Sequence, residues 1–400
     1  MTALTQQLDT LGHLLRQHAN LWRPQPFTQL ELPWQREHPE LAAWLDGLPE
    51  AALSAPKQAW LGGSPQWLQE LARELAAASA LPDWTNTAPT PLGAHAARGM
   101  PGRKVKQIAH FCAAVLPRLP FAGGEVVDWC AGKGHLGRTL IRQTGGQLTA
   151  LERDEQLVAA GQKACDHLGL PARFVACDVL GEDVPNRLNP QQIVVALHAC
   201  GDLHAALLAA ATSRHVAGLA LAPCCYNLAT AATGFALSAH GRKAQLQLTA
   251  SDLDLLHRDP QVANGTDISR AHCEQAWRLA LDLLQRDVTG VDQYRTLPPF
   301  PRPWLRLEFA EFCRRLAAQD GLQIPNNTQF SAYELLGWQR FEQVRRRDLL
   351  RGLFRAPLES WLVLDRAQVL AEAGYQVEFG YFCAREVTPR RALIVARHAT

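Results

Sequence analysis

The sequence lacks the features that mark exported and membrane proteins. Its N-terminus, MTALTQQLDTLGHLLRQ, has no basic segment followed by an apolar one, as a secretory leader would. Its ten cysteines show no framework spacing and include no CxxC pair, so we expect reduced thiols in a cytoplasmic protein. The uncharged stretch 216–239 is interrupted by Pro223, Tyr226 and Asn227, which favours a buried strand entering a loop over a membrane span.

The sequence also lacks a strong charge excess. Forty Lys and Arg against 38 Asp and Glu leave a net charge of +2, so a nucleic-acid partner would have to be held by local basic clusters. One cluster contains Arg103, Lys104 and Lys106, and another is the run 339–355. We predict that Lys104 and Lys106 contact the substrate. A solvated helix face explains the second run about as well as a phosphate-binding surface does.

The order of apolar patterns predicts the domain organisation. Residues 1–95 have apolar positions at helical spacing and contain six of the eleven tryptophans, which predicts a helical N-terminal region. A polar connector with Pro and Gly, 85–104, precedes an α/β domain at 100–400, and a mostly helical insertion interrupts this domain at about 228–356.

Short apolar segments that alternate with helical ones predict a parallel sheet covered by helices on both faces. The last two strands are expected to be antiparallel neighbours. The predicted strands are 125–131, 147–152, 172–178, 192–198, 216–222, 375–383 and 391–397.

The stretch VVDWCAGKGHLGRTL, residues 126–140, predicts a ligand-binding turn between the first strand and a helix. Gly132 and Gly134 allow close approach of the backbone, and the helix that begins near His135 directs free N–H groups at an anion. A dinucleotide is disfavoured because Cys130 replaces the first glycine of GxGxxG and Asp128 would repel a pyrophosphate. S-adenosylmethionine fits better, because it combines an ammonium and a sulfonium with a carboxylate and a ribose diol.

Further acids end the next two predicted strands, in the order that this cofactor requires. Glu152 is predicted to accept both ribose hydroxyls, and Asp178 the adenine amino group. A solvated turn or a helix cap explains Asp178 equally well. The predicted cofactor-binding residues are Asp128, Cys130, Ala131, Gly132, Lys133, Gly134, His135, Glu152, Arg153, Asp178, Val179 and His198.

Three motifs, DWCAGKGHLGR, ALHACGDL (196–203) and APCCYN (222–227), resemble a class I methyltransferase-like family. That family includes the ribosomal-RNA-adenine-dimethylase-domain-containing proteins and the methyltransferase part of the glutathione-S-transferase C-terminal-domain-containing protein. MPGRKVKQIAHF resembles its Lys-rich lead-in helix, and the C-terminal segment resembles its end, so the likeness covers about 100–230 and 350–398. The resemblance implies a Rossmann-like, seven-stranded class I methyltransferase sheet and S-adenosylmethionine use.

In methyltransferases of this architecture the methyl acceptor meets residues after the fourth strand, which here are His198, Cys200 and Asp202. His198 is a candidate general base, although a histidine satisfied by backbone groups is an equal alternative. Asp202 is also explained as the cap of the following helix.

The motif APCCYN allows several interpretations. Tyr226 would stack a flipped base while Asn227 and backbone carbonyls accept its amino hydrogens, or Cys224 or Cys225 would attack a pyrimidine at C6. A metal held by Cys200, Cys224, Cys225 and His198 is disfavoured because adjacent cysteines are awkward ligands and no CxxC pair exists, and no metal is expected. Buried structural thiols remain the fourth interpretation.

Together these features predict a cytoplasmic S-adenosylmethionine-dependent methyltransferase with an RNA base as the preferred acceptor. The alternatives are methylation of a protein or small molecule, and a non-catalytic module that uses the cofactor pocket to bind a partner. The predicted acceptor-side residues are His198, Cys200, Asp202, Cys224, Cys225, Tyr226 and Asn227.

Overall fold

The computed structural model describes most of the chain. The described residues are 2–87, 89, 92, 100–121, 123–230, 234–257 and 265–398. The predicted connector 85–104 lies in part outside them. Among the described helices, none combines the length and the apolar character that a bilayer crossing requires.

Seven strands form one sheet in the order β3-β2-β1-β4-β5-β7-β6. The first five pair in parallel, and β7 runs antiparallel to both β5 and β6. This is the predicted α/β sheet, including the expected antiparallel pair at the C-terminus. The strands are β1 Glu125–Trp129, β2 Gln147–Glu152, β3 Ala172–Ala176, β4 Ile193–Cys200, β5 Gly218–Cys224, β6 Tyr375–Tyr381 and β7 Ala392–His398.

Helices connect the parallel strands, as the alternation of patterns predicts. The left-handed glycines Gly134 and Gly145 bound α9, and the carboxylate of Asp154 caps α10 by accepting two backbone N–H groups. Every residue of β5 is buried, which explains why this strand is a continuous apolar run. The helices around these strands are α8 Gly102–Val115, α9 His135–Thr144, α10 Glu155–His167 and α11 Asp202–Ser213.

The remaining helices lie before α8 and between β5 and β6. The N-terminal ones are α1 Ala3–Gln17, α2 Ala19–Trp22, α3 Pro33–Glu37, α4 Pro39–Asp46, α5 Glu50–Ser54, α6 Lys57–Leu61 and α7 Gln66–Ala78. The later ones are α12 Ala239–Lys243, α13 Ala250–His257, α14 Gly265–Thr289, α15 Phe309–Asp320, α16 Phe330–Gly352 and α17 Arg355–Glu372. Both regions are mainly helical, as predicted.

The chain divides into two compact units whose bounds differ from the predicted domains. The first comprises Met1–Arg16, Ala76–Arg258 and Ala356–Thr400, and the second comprises Gln17–Leu75 and Asp259–Arg355. Packing between distant segments explains the difference. In the first unit the Gln7 amide donates to the carbonyls of Ala78 and Ala80, which attaches α1 to the unit that contains the sheet.

The second unit joins part of the N-terminal region to part of the insertion. The Arg351 side chain donates to the carbonyl of Trp22, and Arg340 donates to that of Phe27. An aromatic cluster around Trp277 and Phe312 forms a core of its own.

Candidate functional site

The turn after β1 contains three residues with left-handed backbone. Cys130, Gly132 and Gly134 have φ of 56°, 58° and 67°. A Cβ at Gly134 would lie 2.4 Å from Cζ of Phe174, so this glycine is required by packing against β3. A Cβ at Gly132 would have no atom within 4 Å, so one face of the turn borders open space.

Glu152, at the end of β2, lies beside this open face. Its Oε2 accepts from the backbone N of Gly132 at 2.8 Å. Its Oε1 accepts from the backbone N of Arg153 at 2.9 Å and of Asp154 at 3.0 Å. An ionised carboxylate offers about four lone-pair sites, so these three N–H groups leave about one for a ligand. Arg153 contributes through its backbone, while its side chain is exposed.

Asp128 is almost fully buried at 3% exposure. Its Oδ2 accepts from the backbone N of Gly137 at 2.9 Å, and this bond fixes the first turn of α9 against β1. Burial raises the pKa of Asp128 to about 7, because the ionised form is poorly solvated there. The side chain therefore already has a structural role.

Cys130 lies where the predicted carboxylates converge. Burial first, and then the negative charges of Glu152, Asp128, Cys200 and Asp178, raise the pKa of its thiol to about 12. The structure therefore brings the ends of β1 to β4 into one cluster. Asp178 is exposed, and its Oδ1 accepts from the backbone N of Leu180 at 3.0 Å, as in a solvated turn.

The other residues predicted near the cofactor surround the turn. Ala131 is buried and donates its N–H to the carbonyl of Leu151, and Val179 is buried as well. The side chain of Lys133 is exposed. His135 is buried with Nδ1 2.6 Å from Nη2 of Arg138. Burial and the nearby cations lower its pKa to about 4, so the ring is neutral at pH 7.

His198 occupies a strained position in β4. Its φ is 72°, at a point where the register with β5 shifts between Leu197 and Ala199. Its Nε2 lies 3.0 Å from Oε1 of Gln107 in α8. Burial, followed by the charges of Lys104 and Arg390, lowers the pKa of His198.

The sequence patterns did not identify Gln107 or Arg390. Gln107 was detectable as a polar residue on the apolar face of the lead-in helix, where it is 8% exposed. Arg390 lies in the connection between β6 and β7, far along the chain from β4, and no local pattern marks it. Of the two predicted lysines, half-buried Lys104 acts electrostatically on Asp128, whereas Lys106 is exposed.

The thiols of Cys200, Cys224 and Cys225 form a cluster in which all three sulfurs lie within 4.8 Å of one another. The sulfurs of Cys200 and Cys224 are 3.4 Å apart. The hydrogen bond from Cys224, with smaller contributions from Cys225 and Arg390, lowers the pKa of Cys200 to about 6. The same bond raises the pKa of Cys224, and burial raises that of Cys225. Within this cluster the pKa is therefore lowered at Cys200 and raised at the two nucleophile candidates, Cys224 and Cys225.

Asp202 begins α11 but does not cap it with its side chain. Both of its carboxylate oxygens accept from the backbone N of Thr230, at 3.0 and 3.1 Å. Asp202 therefore anchors the segment after β5 to the end of β4.

The predicted stacking role of Tyr226 needs correction. Its side chain is 2% exposed, and its ring lies edge-on to His204 with centroids 5.6 Å apart. The guanidinium of Arg366 lies 5.4 Å from its centroid. Because the ring is buried within the protein, it has no free face for a base. Asn227, the next residue, is half-buried.

The basic run 339–355 is neutralised within the second unit. Arg345 pairs with Glu50 and Glu342, and Arg346 also pairs with Glu342. Arg347 makes two hydrogen bonds with the carboxylate of Asp46. These pairs favour the helix-surface interpretation over phosphate binding.

Comparison with known proteins identifies the class of the sheet-forming segment. Residues 103–232 match a family model described as a methyltransferase domain. This match covers α8, the glycine turn, the strand-end acids and the thiol cluster. It confirms the predicted class of domain for this segment.

Similar solved structures include the tRNA (uracil-54, C5)-methyltransferase of Pyrococcus abyssi in complex with S-adenosyl-L-homocysteine. It is 15% identical over 28% of this chain and 27% of that chain, with a TM-score of 0.23. The cyclopropane synthase MmaA2 of Mycobacterium tuberculosis is 13% identical over 74% of this chain and 82% of that one, with a TM-score of 0.26. This chain covers 27% to 65% of the first four solved structures it matches.

Proposed function

We propose that this protein transfers the methyl group of S-adenosylmethionine to a base in RNA. The observation that carries the proposal is the open face at Gly132, which adjoins Glu152 and lies in the same cluster as Asp128 and the acceptor-side thiol Cys200. The cofactor supplies an activated methyl group, so the protein's main contribution is to align an acceptor with it.

The turn fits this cofactor on its physical features. At Gly132 a Cβ would occupy space that a ligand can fill, and α9 begins three residues later. The first N–H groups of a helix have no acceptor within it and favour a carboxylate, and of those in α9 the one of Gly137 is bonded to Asp128. Glu152 retains about one acceptor site, which suits one ribose hydroxyl in place of the predicted two. A cationic group near Asp128 would restore the ionised carboxylate that burial disfavours.

His198 is suited to take up a proton. Because Oε1 of Gln107 can only accept, the facing Nε2 of a neutral His198 carries the hydrogen and Nδ1 is the basic nitrogen. The lowered pKa keeps the ring neutral at pH 7 and therefore able to act as a base. We assign His198 as the candidate base, with Gln107 as its positioning residue.

Positive charge near the turn supports RNA as the acceptor. Lys104 acts electrostatically on Asp128, His135 and His198, and Lys133 is exposed on the turn itself. Cations at this place would contact phosphates next to a base held at the end of β4. Arg345, Arg346 and Arg347 of the second unit do not contribute to this argument, since acids pair with them.

The test uses the full chain and S-adenosylmethionine with a radioactive methyl group. Label is expected in RNA from cells that lack the protein, and nuclease but not protease treatment should release it. Label in protein or in small molecules would replace the RNA proposal with the corresponding alternative. Binding without transfer to any fraction would favour the non-catalytic module.

Calorimetry is expected to show cofactor binding that Asp128→Ala and Glu152→Ala each weaken severely, and wild-type affinity in both would reject the cofactor site.

A further inference from the structure

We propose that Cys200, Cys224 and Cys225 bind one thiophilic divalent cation of the zinc type at the ends of β4 and β5. Their three sulfurs lie within 4.8 Å of one another, and those of Cys200 and Cys224 are 3.4 Å apart. Tetrahedral zinc with Zn–S bonds of about 2.3 Å places its sulfurs about 3.8 Å apart. The observed spacing therefore requires only small side-chain adjustments.

Two features of the backbone bring the thiols together. Cys200 and Cys224 are register partners on the parallel strands β4 and β5, beyond the register shift at Leu197 and Ala199. Adjacent residues of an extended strand point to opposite faces, which is why neighbouring cysteines are normally poor co-ligands. Cys225 leaves the strand with left-handed φ of 48° and ψ of 47°, and its sulfur remains near that of Cys224.

The left-handed backbone at Cys225 also points to a functional constraint. A residue with a Cβ is disfavoured there, and such strain is concentrated at functional sites. His198 and Cys130 also have positive φ, so three of the left-handed non-glycine residues in the described chain lie at the ends of β1, β4 and β5. The expectation that no metal binds relied on the poor geometry of adjacent cysteines, and this conformation removes that obstacle.

The donor set selects the kind of ion. Three sulfur donors favour zinc over magnesium or calcium, which prefer oxygen ligands. The nearby carboxylate of Asp202 accepts from Thr230, and Nε2 of His198 faces Gln107. Among the described residues, no histidine or carboxylate joins the three thiols as a further ligand within 4.8 Å, so the fourth coordination position is left to a small molecule or to the acceptor, as in catalytic zinc sites. A bound ion would join the ends of β4 and β5.

The first test measures metal content of the full-length protein, purified with a non-thiol reductant and supplied with Zn²⁺ alone. Elemental analysis after dialysis should find about one zinc per chain. Cys200→Ser, Cys224→Ser and Cys225→Ser should each lose it, whereas the matched control Cys273→Ser, a half-buried thiol of the second unit, should retain it. Zinc retained by all three variants, or absent from the wild type, would overturn the proposal.

The second test locates the ion without any substitution. Cysteine alkylation read by mass spectrometry should show the two half-buried thiols of the cluster, Cys200 and Cys225, protected by Zn²⁺ and reactive again after a chelator is added, with Cys273 labelled equally in both states. Equal labelling of the cluster with and without Zn²⁺ would also reject the site. Neither measurement includes a methyl donor or acceptor, so the result is independent of the proposed methyl transfer.

Discussion

Replacement of Gly132 by alanine should separate cofactor binding from stability. At φ of 58° a Cβ costs about 1–2 kcal/mol in backbone strain, and the open space around it adds no internal clash. If the cofactor occupies that space, the methyl group should weaken its binding by about 1–3 kcal/mol. This is about a 5- to 150-fold rise in Kd, since about 1.4 kcal/mol corresponds to a factor of ten.

The matched control is Gly169→Ala. Gly169 has nearly the same φ, 60°, and a Cβ there would also have no atom within 4 Å, but it lies at the far end of α10, before β3. Both variants should lose similar stability in thermal unfolding, while calorimetry with S-adenosylmethionine should show weakened binding only for Gly132→Ala. Gly134→Ala should instead be markedly unstable because of its contact with Phe174. Unchanged affinity in Gly132→Ala would refute the claim that the cofactor approaches this backbone.

Three further outcomes are expected. The folded-state pKa of Asp128, about 7, exceeds its ordinary value of 3.8, so the wild type should lose stability as the pH rises through this interval. Asp128→Asn should remove about 3 kcal/mol of that loss between about pH 5 and about pH 8, as measured by urea unfolding. Parallel stability curves for wild type and variant would disprove the raised pKa. Tyr226→Phe should leave thermal stability unchanged or raise it by about 1 kcal/mol, because the hydroxyl is buried without a hydrogen-bond partner in the described part of the chain; a clear loss would reveal a partner. Lys104→Ala should weaken RNA binding and reduce its salt dependence. Arg346→Ala should alter neither, because the guanidinium of Arg346 is already paired with Glu342. The opposite pattern would move the RNA surface to the second unit.

The sequence predicted the sheet because its signals are local. Apolar strand segments alternate with helical patterns, and an acid lies at or just after the end of each of the first three strands. The cluster of Asp128, Glu152 and Asp178 then follows from parallel strands that end at one edge. The bounds differ by a few residues: the predicted strand 192–198 extends from Ile193 to Cys200. That extension matters because it brings Cys200 into register with Cys224.

Other features depend on contacts between distant segments, which no local pattern contains. The ring of Tyr226 packs beside the guanidinium of Arg366, which lies 140 positions further along the chain. The charges of Arg345 and Arg347 are neutralised by acids from the N-terminal region. Likewise, α1 belongs with the sheet because Gln7 bonds to residues near 80, although the sequence places it in a separate helical region.

The sequence by itself determined the succession of strands and helices along the chain, the glycine turn and the acids at the strand ends. The reason is that hydrophobic periodicity and turn chemistry act over a few residues. Only the tertiary structure decided which side chains meet. The pairing of His198 with Gln107 and the convergence of Cys200, Cys224 and Cys225 both require strands and helices to be packed first. Packing also holds His198 and Cys225 in backbone conformations that neither residue would adopt on its own local preference.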